Sequence, residues 1–409
     1  MIERIKHYFL KSKIGSFIFL IFLILIPFNI SKYISLVNSE LLNFFIIFFL
    51  ILVIIEILFQ LIYIKRNGHR YKTPSIIKFK NLHIEPHPYI PYIFKKNFPS
   101  PPSEPTRFSL NRGKYISSKL KTNNLRFYNG ENGDRDIEIP KPKDLLRINC
   151  LGESTTQYYL NFENKNFSYP LELERILKSR IKKNLEVNNC AQGGYNTADL
   201  LIRFCLQIID TEPDYIIIYH GQTDIRSFIT PNFENDYFHS RKNLAESYKT
   251  LKRNSKIPNL PFNFLNYFKN HWFPYDTRSY LMDLIHKSNE NDKIDYKPGL
   301  KIYKRNLQQI IDICLAKNIE VILGTYCHYL YDNVKNSSIH NLYNKIVDEE
   351  NLIIKQLAAE NNLDLVDNDK LIIREESNFM DSVHFTPKGM NLLAKNFSEK
   401  IIKKINETK

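Results

Sequence analysis

The sequence has few of the residues that mark several specialised classes of protein. It has five cysteines among 409 residues and no Cys-x-x-Cys pair, which argues against a disulfide scaffold and against a zinc site of that kind. Glycine (12) and proline (19) are too scarce for a collagen-like or low-complexity chain. No P-loop, dinucleotide fingerprint or His-Glu-x-x-His sequence occurs, so we expect neither a cofactor nor a metal.

The charge is unbalanced, but the basic residues are spread along the chain. The formal net charge is +14, and aromatic residues make up 13%, which is enough to build a core and argues against a disordered chain. A nucleic-acid surface would need basic residues clustered with stacking aromatics, and no such cluster occurs outside the flanks of the N-terminal apolar runs. We therefore expect no nucleic-acid partner. The length predicts one larger domain with appendages, or two domains.

Two apolar runs lie near the N-terminus. Residues 14–30 contain no charge, and residues 41–64 contain only Glu56. A helix of the second length extends about 36 Å, enough to cross a bilayer core. No small-x-small cleavage site follows the first run, which argues against a cleaved signal peptide. The sequence thus predicts a membrane anchor over residues 1–65 with two transmembrane helices, at about 14–30 and 41–64.

The basic residues beside these runs predict the orientation of the anchor. Four precede the first run, one lies between the runs and four closely follow the second: Arg4, Lys6, Lys11 and Lys13, then Lys32, then Lys65, Arg66, Arg70 and Lys72. The positive-inside rule places both flanks in the cytoplasm. We expect a multi-pass inner-membrane protein with membrane lipids as partners and its large C-terminal part on the cytoplasmic side.

Glu56 is an ionisable residue inside the second run, and such residues are functional candidates by default. The alternative is that it lies within about a turn of the membrane interface, beside Gln60 and Lys65. The sequence favours this second interpretation.

Residues 66–140 are rich in proline and aromatic residues. Repeated proline disfavours helix. We predict an extended connector with short strands, and the sequence leaves open whether it packs on the rest of the protein or is a passive spacer.

From residue 141 onward the pattern alternates between apolar strands and amphipathic helices, such as a helix over 197–209. Five strands are predicted, at about 145–150, 185–190, 215–219, 319–325 and 363–366. Strand–helix alternation indicates an α/β three-layer sandwich with one parallel five-stranded sheet. Residues 226–299 interrupt the alternation, so we predict an insertion there within a domain over 141–409.

Chemically capable residues follow the predicted strands, where parallel sheets bind ligands. Ser154 comes after the first strand on a turn that opens a helix, which exposes its hydroxyl. His384 and Asp381 lie three residues apart after the last strand, so one segment can supply a general base and the carboxylate that orients it. The Gly193-Gly194 pair lets backbone approach a substrate, and Thr223 can add a hydrogen-bond donor for an oxyanion.

These residues together resemble the SGNH, or GDSL-type, esterase/lipase superfamily. The resemblance rests on four blocks and covers about residues 145–405: Gly152-Glu153-Ser154, Gly194 within the second block, Gly221-Gln222-Thr223-Asp224, and Asp381-Ser382-Val383-His384. It implies a flavodoxin-like fold and a serine hydrolase without a metal. It also implies a catalytic triad of Ser154, His384 and Asp381, and an oxyanion hole formed by the Ser154 backbone, Gly194 and Thr223.

One departure from the superfamily bears on function. Thr223 stands where the superfamily has its oxyanion-hole Asn, and a threonine has one donor hydrogen and a shorter reach. Three functions stay open: a membrane-anchored esterase that acts on an acyl or acetyl ester of a lipid or cell-envelope carbohydrate, an O-acyltransferase that uses the same triad, and a catalytically degenerate domain that serves as a membrane-bound binding or assembly factor.

Overall fold

A computed structural model describes most of the chain. The described residues are 39–67, 70, 83–85, 87–99, 120–162, 165–230, 232–240, 260–266, 295–329 and 338–407. The predicted first span at 14–30 lies outside them, as does most of the predicted insertion. The chain divides into two compact units, one formed by Met1–Ile76 with Ile257–Phe273 and the other by Ile77–Lys256 with Pro274–Lys409.

The first unit contains the helix α1 (Ser39–Asn67), which includes the predicted second span. Its stretch Leu41–Lys65 has a mean hydropathy of 3.1 over the most apolar window. Neither proline nor glycine occurs within α1, and its residues are mainly Leu, Ile and Phe, so nothing in the sequence interrupts the helix. Among the described residues, this is one helix long and apolar enough to cross a membrane.

The second unit is built on one parallel sheet, as the sequence predicts. Its strands are β3 (Leu146–Gly152), β6 (Leu185–Asn189), β7 (Tyr215–Tyr219), β8 (Glu320–Gly324) and β9 (Asp364–Val366). Their spatial order is β6-β3-β7-β8-β9, and every neighbouring pair is parallel. This is the flavodoxin-like order, in which the sheet's first strand in sequence, β3, lies between its second, β6, and its third, β7.

Helices cover both faces of this sheet. Ile216, Ile217 and Ile218 point alternately to opposite faces of β7, and all three are fully buried. The helices are α2 (Ser154–Gln157), α3 (Tyr169–Arg180), α4 (Thr197–Arg203), α5 (Thr223–Phe228), α6 (Lys297–Ala316), α7 (Ser338–Glu360), α8 (Asn368–Leu371) and α9 (Pro387–Glu407). They form two groups: α3 packs on α9, while α6 packs on α4, α5 and α7. The structure is the predicted three-layer α/β sandwich.

The residues that precede the sheet belong to the same compact unit. Strands β1 (Ile84–Glu85) and β2 (Ile93–Phe94) form an antiparallel hairpin. Phe127 and Ile137 are buried in the main core, in one cluster with residues of the sheet and its helices. A second small hairpin, β4 (Leu160–Phe162) with β5 (Lys165–Phe167), joins α2 to α3.

Candidate active site

Ser154 lies at the carboxyl end of β3 and begins α2. The turn that carries it is tight, because a Cβ on Gly152 would lie 2.3 Å from the Tyr219 carbonyl oxygen and 2.3 Å from the Thr156 hydroxyl. Only glycine allows β3 to approach β7 so closely at this point. The strand-to-helix turn therefore presents Ser154 at the edge of the sheet, and its side chain is half-buried.

Three predicted site residues form a continuous hydrogen-bonded chain. The Ser154 hydroxyl lies 3.0 Å from His384 Nε2, and His384 Nδ1 lies 2.8 Å from Asp381 Oδ2 and 3.0 Å from Oδ1. Because a carboxylate accepts at Nδ1, that nitrogen carries the ring proton in this network and leaves Nε2 to accept from the serine. The arrangement is that of a nucleophile, its base and the carboxylate that orients the base.

The loop between α8 and α9 holds Asp381 and His384 rigidly. Asp381 Oδ1 also accepts the backbone N–H groups of Val383 (3.0 Å) and His384 (2.8 Å). Burial alone would raise the pKa of Asp381. The hydrogen bonds and charge of the His384 ring, together with these two backbone donors, outweigh burial and hold that pKa well below its usual range. Asp381 is therefore ionised at neutral pH and available to stabilise a protonated His384.

The loop after β6 contains Gly193 and Gly194 and is held from two sides. The Gly193 N–H donates to Gln157 Oε1 (2.6 Å), and the Gly193 carbonyl accepts from the Tyr92 hydroxyl (2.6 Å). Gly194 has a φ of +81°, and a Cβ there would lie 2.2 Å from the Tyr92 hydroxyl. The backbone N–H groups of Ser154 and Gly194 make no hydrogen bond to any other described residue, which leaves both as donors for a ligand.

Thr223 is the first residue of α5, directly beyond the carboxyl end of β7. Its side chain is half-buried, and its hydroxyl has no hydrogen-bond partner within the part of the chain that the structure describes. A free hydroxyl at a strand end is compatible with an oxyanion donor. Its assignment to the oxyanion hole stays a prediction.

Asp224, the next residue, is a central polar residue that sequence reasoning left without a role. Its carboxylate accepts from His220 Nε2 (2.7 Å), from the Thr197 backbone (2.9 Å) and hydroxyl (2.7 Å), and from the Tyr237 hydroxyl (2.8 Å). Asp224 and His220 are both fully buried. Asp224 thus joins the end of β7 to the start of α4, and the fourth residue of the Gly-Gln-Thr-Asp block is structural.

A second buried carboxyl group has no such partners. Glu350 on α7 is fully buried, and neither of its carboxyl oxygens has a hydrogen-bond partner among the described residues. Burial raises the pKa of Glu350 far above its usual value, and the negative charges of Asp224 and Glu153 raise it further. Glu350 therefore keeps its proton to a higher pH than an exposed glutamate does.

This protonation makes the effect of Glu350→Gln depend on pH. When folding raises the pKa of a carboxyl group, the group contributes fully to stability at pH values below its pKa in the unfolded chain. That contribution is lost as the pH rises from this value toward the pKa of the group in the folded protein. Glutamine does not ionise, so the free energy of unfolding of the variant should rise relative to that of the wild type as the pH increases above roughly 4.5, by up to about 1.4 kcal/mol per pH unit. Urea unfolding at pH 5 and pH 7, followed by near-ultraviolet circular dichroism, measures this difference. Glu360→Gln, at an exposed position on the same helix, is the control; equal pH slopes for all three proteins would contradict the prediction.

The chain is similar to one protein family and to several solved structures. The sequence profile of the GDSL-like Lipase/Acylhydrolase family matches residues 150–392. No curated protein matches the chain. Similar solved structures include a lipase/acylhydrolase from Enterococcus faecalis, at 16% identity over 63% of this chain and 95% of that one with a TM-score of 0.38. An acetylxylan esterase from Geobacillus stearothermophilus is 17% identical over 63% of this chain and 94% of that one, with a TM-score of 0.39. Because the family profile covers more than half of the sequence, from β3 to the start of α9, the chain belongs to the GDSL-like lipase/acylhydrolase family of ester-hydrolysing serine hydrolases.

Proposed function

We propose that the protein is a membrane-anchored serine esterase that removes an acyl or acetyl group from a lipid or a cell-envelope carbohydrate. The observation that carries this proposal is the hydrogen-bonded chain from Ser154 through His384 to Asp381 at the carboxyl edge of the sheet. An ester is the substrate class of the family, and the apolar helix α1 favours a substrate at or near a bilayer.

In the proposed mechanism, Ser154 Oγ attacks the ester carbonyl carbon while His384 Nε2 takes the hydroxyl proton. Asp381 keeps the ring oriented and stabilises the imidazolium that forms. The C–O bond to the alcohol then breaks, and His384 returns the proton to the leaving alkoxide. A water molecule attacks the resulting acyl-serine, again with His384 as base, and releases the carboxylic acid and free Ser154.

The tetrahedral intermediates carry a negative oxygen that needs hydrogen-bond donors. The backbone N–H groups of Ser154 and Gly194 are proposed as two of them, since both are free of other partners in the described chain. Thr223 is proposed as a third donor through its hydroxyl. Donors held in place before the reaction stabilise the transition state more than the substrate, and this raises kcat.

A fluorophosphonate probe tests the proposal directly, because it reacts with an activated serine and not with an ordinary one. The native chain should be labelled at one site, and peptide mapping should find the adduct on Ser154. Heat-unfolded protein is the control and should stay unlabelled. A native chain that resists the probe and releases no acid from aryl acetates would contradict an esterase and favour a binding role.

Replacement of Thr223 measures its contribution to the oxyanion hole. Thr223→Val removes the donor and should lower kcat by up to about 10²-fold, corresponding to about 3 kcal/mol, whereas Thr223→Asn should preserve or raise kcat. Aryl-acetate kinetics distinguish these outcomes. Thr230→Val, just beyond the other end of α5, removes a hydroxyl that is bonded to the Arg226 carbonyl and is the matched control. If Thr223→Val is kinetically silent, another group completes the hole.

The charge pattern around the apolar runs supports a cytoplasmic position for the hydrolase unit. Four basic residues precede the first run, one lies between the runs and four closely follow the second. Protease added to intact spheroplasts should then leave the unit uncut, and should digest it after the inner membrane is opened. Digestion in intact spheroplasts would place the unit on the outer side and would exclude the two-span hairpin.

A further inference from the structure

The apolar helix α1 binds a segment that is distant in sequence. Glu56 Oε1 accepts from Asn263 Nδ2 (2.9 Å) and from Gln60 Nε2 (2.9 Å), and Glu56 Oε2 accepts the backbone N–H of Phe264 (3.0 Å). Asn263 lies 207 residues further along the chain. The single acidic residue of the apolar stretch Leu41–Lys65 is therefore held by two donors from the predicted insertion and one from α1 itself, all within the first compact unit.

The position of Glu56 along α1 gives the depth of this contact. Leu41–Lys65 comprises 25 residues, so Glu56 lies about 4.5 Å from its midpoint and about 13 Å from Lys65 along the helix axis. The hydrocarbon core of a bilayer is about 30 Å thick. If α1 spans the bilayer, Glu56 thus lies well inside the hydrocarbon. The sequence alone favoured a different position, within about one turn of the interface. Whatever binds Glu56 must reach the same depth.

One face of α1 is less exposed than the rest along this region. The half-buried positions recur at helical spacing: Phe49, Leu52, Val53, Glu56, Phe59, Gln60, Tyr63 and Ile64. The intervening positions, such as Leu50 and Ile57, are more than half exposed. The ring of Phe262 lies 5.9 Å from that of Phe49 on the half-buried face. The contact at Glu56 is therefore accompanied by an apolar one, two helical turns away.

Side chains bind part of the irregular backbone of the segment. Residues 263–266 are helical, and residues 260–262 are not. Asn266 accepts the Leu260 N–H (2.8 Å) and donates to the carbonyls of Leu260 (2.7 Å) and Phe262 (2.8 Å). Asn266 is almost fully buried. Non-helical backbone is tolerated at membrane depth where the protein supplies partners for its polar groups, and Asn266 and Glu56 supply several of them here.

The sequence around the segment is apolar but too short to span. Residues 257–268 read IPNLPFNFLNYF and contain no charged residue. Twelve residues are fewer than a transmembrane helix needs, and apolar runs of this length are typical of buried core helices and of re-entrant or interfacial segments. Pro258 and Pro261 also prevent one continuous helix.

We infer that residues 260–266 are a re-entrant element that enters the bilayer beside α1, with lipid acyl chains as the partner of its outer apolar surface. Glu56 is the polar clamp that holds the element against the helix. The inference rests on the proposed membrane anchoring and extends it, because the insertion of the hydrolase unit becomes a second point at which the chain enters the membrane.

Depth-dependent fluorescence quenching tests the inference on the full chain. The protein has one tryptophan, so Trp272→Phe gives a protein without tryptophan fluorescence, into which single reporters can be introduced. Phe262→Trp reports on the segment, and Leu50→Trp, at an exposed position on α1, reports on the span. In vesicles, lipids brominated deep in their acyl chains should quench both reporters more strongly than lipids brominated at the headgroup. A quenched Leu50→Trp with an unquenched Phe262→Trp would overturn the re-entrant element while anchoring stands, and failure of both to be quenched would overturn both.

Substitution of Glu56 tests the clamp. Glu56→Leu removes the carboxyl oxygens that accept from Asn263 and Phe264, so the Phe262→Trp reporter should become more sensitive to headgroup bromine than to deep bromine. Glu56→Gln keeps one acceptor oxygen and should cause a smaller shift. The Leu50→Trp reporter should stay deep in both variants, which separates loss of the clamp from loss of the span. If Glu56→Leu leaves the Phe262→Trp quenching unchanged, Glu56 is not the clamp.

Discussion

Alanine at position 154 is expected to lower kcat on an aryl acetate by roughly 10⁴-fold or more. The Ser154 hydroxyl is the only oxygen bonded to His384 Nε2 among the described residues, so its removal leaves the base without a nucleophile to activate. The substitution deletes one half-buried atom and should leave KM and circular dichroism close to those of the wild type. Steady-state kinetics on purified full-length protein measure the loss.

The double variant with His384→Ala gives a sharper test of this chemistry. When residues act as one catalytic unit, removal of a second member lowers kcat little further. The kcat of the double variant should therefore be close to that of Ser154→Ala alone. Ser377→Ala is the matched control, because Ser377 precedes His384 in the same loop region and bonds to Glu375 rather than to the triad. If the fold-reduction of kcat in the double variant equals the product of the two single reductions, the two residues act separately.

The second largest effect is expected from Gly194→Ala, with kcat reduced by roughly 10²- to 10³-fold. Gly194 has a φ of +81°, which costs an L-residue about 1–2 kcal/mol. Its new Cβ would also meet the Tyr92 hydroxyl at 2.2 Å, so the loop must move and take the proposed oxyanion donor with it. Gly130→Ala is the control: Gly130 has a φ of +68° in a loop that contacts Arg135, and its substitution should lower the melting temperature without lowering kcat.

Tyr92→Phe introduced into the Gly194→Ala variant separates loop displacement from general unfolding. Phenylalanine at position 92 lacks the hydroxyl oxygen that would clash with the alanine Cβ at position 194. We therefore expect kcat to recover in part, although the backbone strain remains. Tyr92→Phe alone removes the hydroxyl that fixes the Gly193 carbonyl and should cause a smaller loss of kcat. Full activity in Gly194→Ala would exclude this loop from the oxyanion hole.

The sheet was predictable because its strands alternate with amphipathic helices and because its central strand, β7, is a continuous apolar run. The five observed strands lie within about two residues of the predicted ones, and Tyr215–Tyr219 matches fully. Burial on both faces leaves such runs without a polar position, so the signal is strong. The predicted helix over 197–209 is not uniform: α4 ends at Arg203 and the chain continues as a π-helical segment, Phe204–Ile208. The β4–β5 hairpin was missed since each of its strands has only three residues.

The site was predictable where its residues are close in sequence. Asp381 and His384 lie three residues apart, and Ser154 follows a strand directly, so local pattern was enough to select them. Tyr92 and Gln157 were missed because their contacts with Gly193 join positions far apart in the sequence, with no local periodicity to mark them. Asp224 offered a signal, the acidic residue after Gly-Gln-Thr, but its four hydrogen bonds come from three segments that only the fold brings together.

The burial of the residues before the sheet sets the shortest fragment that can be expressed as a working hydrolase. The guanidinium of Arg203 is buried, stacks 4.2 Å above the Phe127 ring and donates to the Arg126 carbonyl. A fragment that starts at residue 141 would leave this cation without either contact and would open the core to water. A version without α1 should therefore start before β1, near residue 77, so that the hairpin with Tyr92 is kept. It would still contain residues 260–266, the proposed re-entrant element.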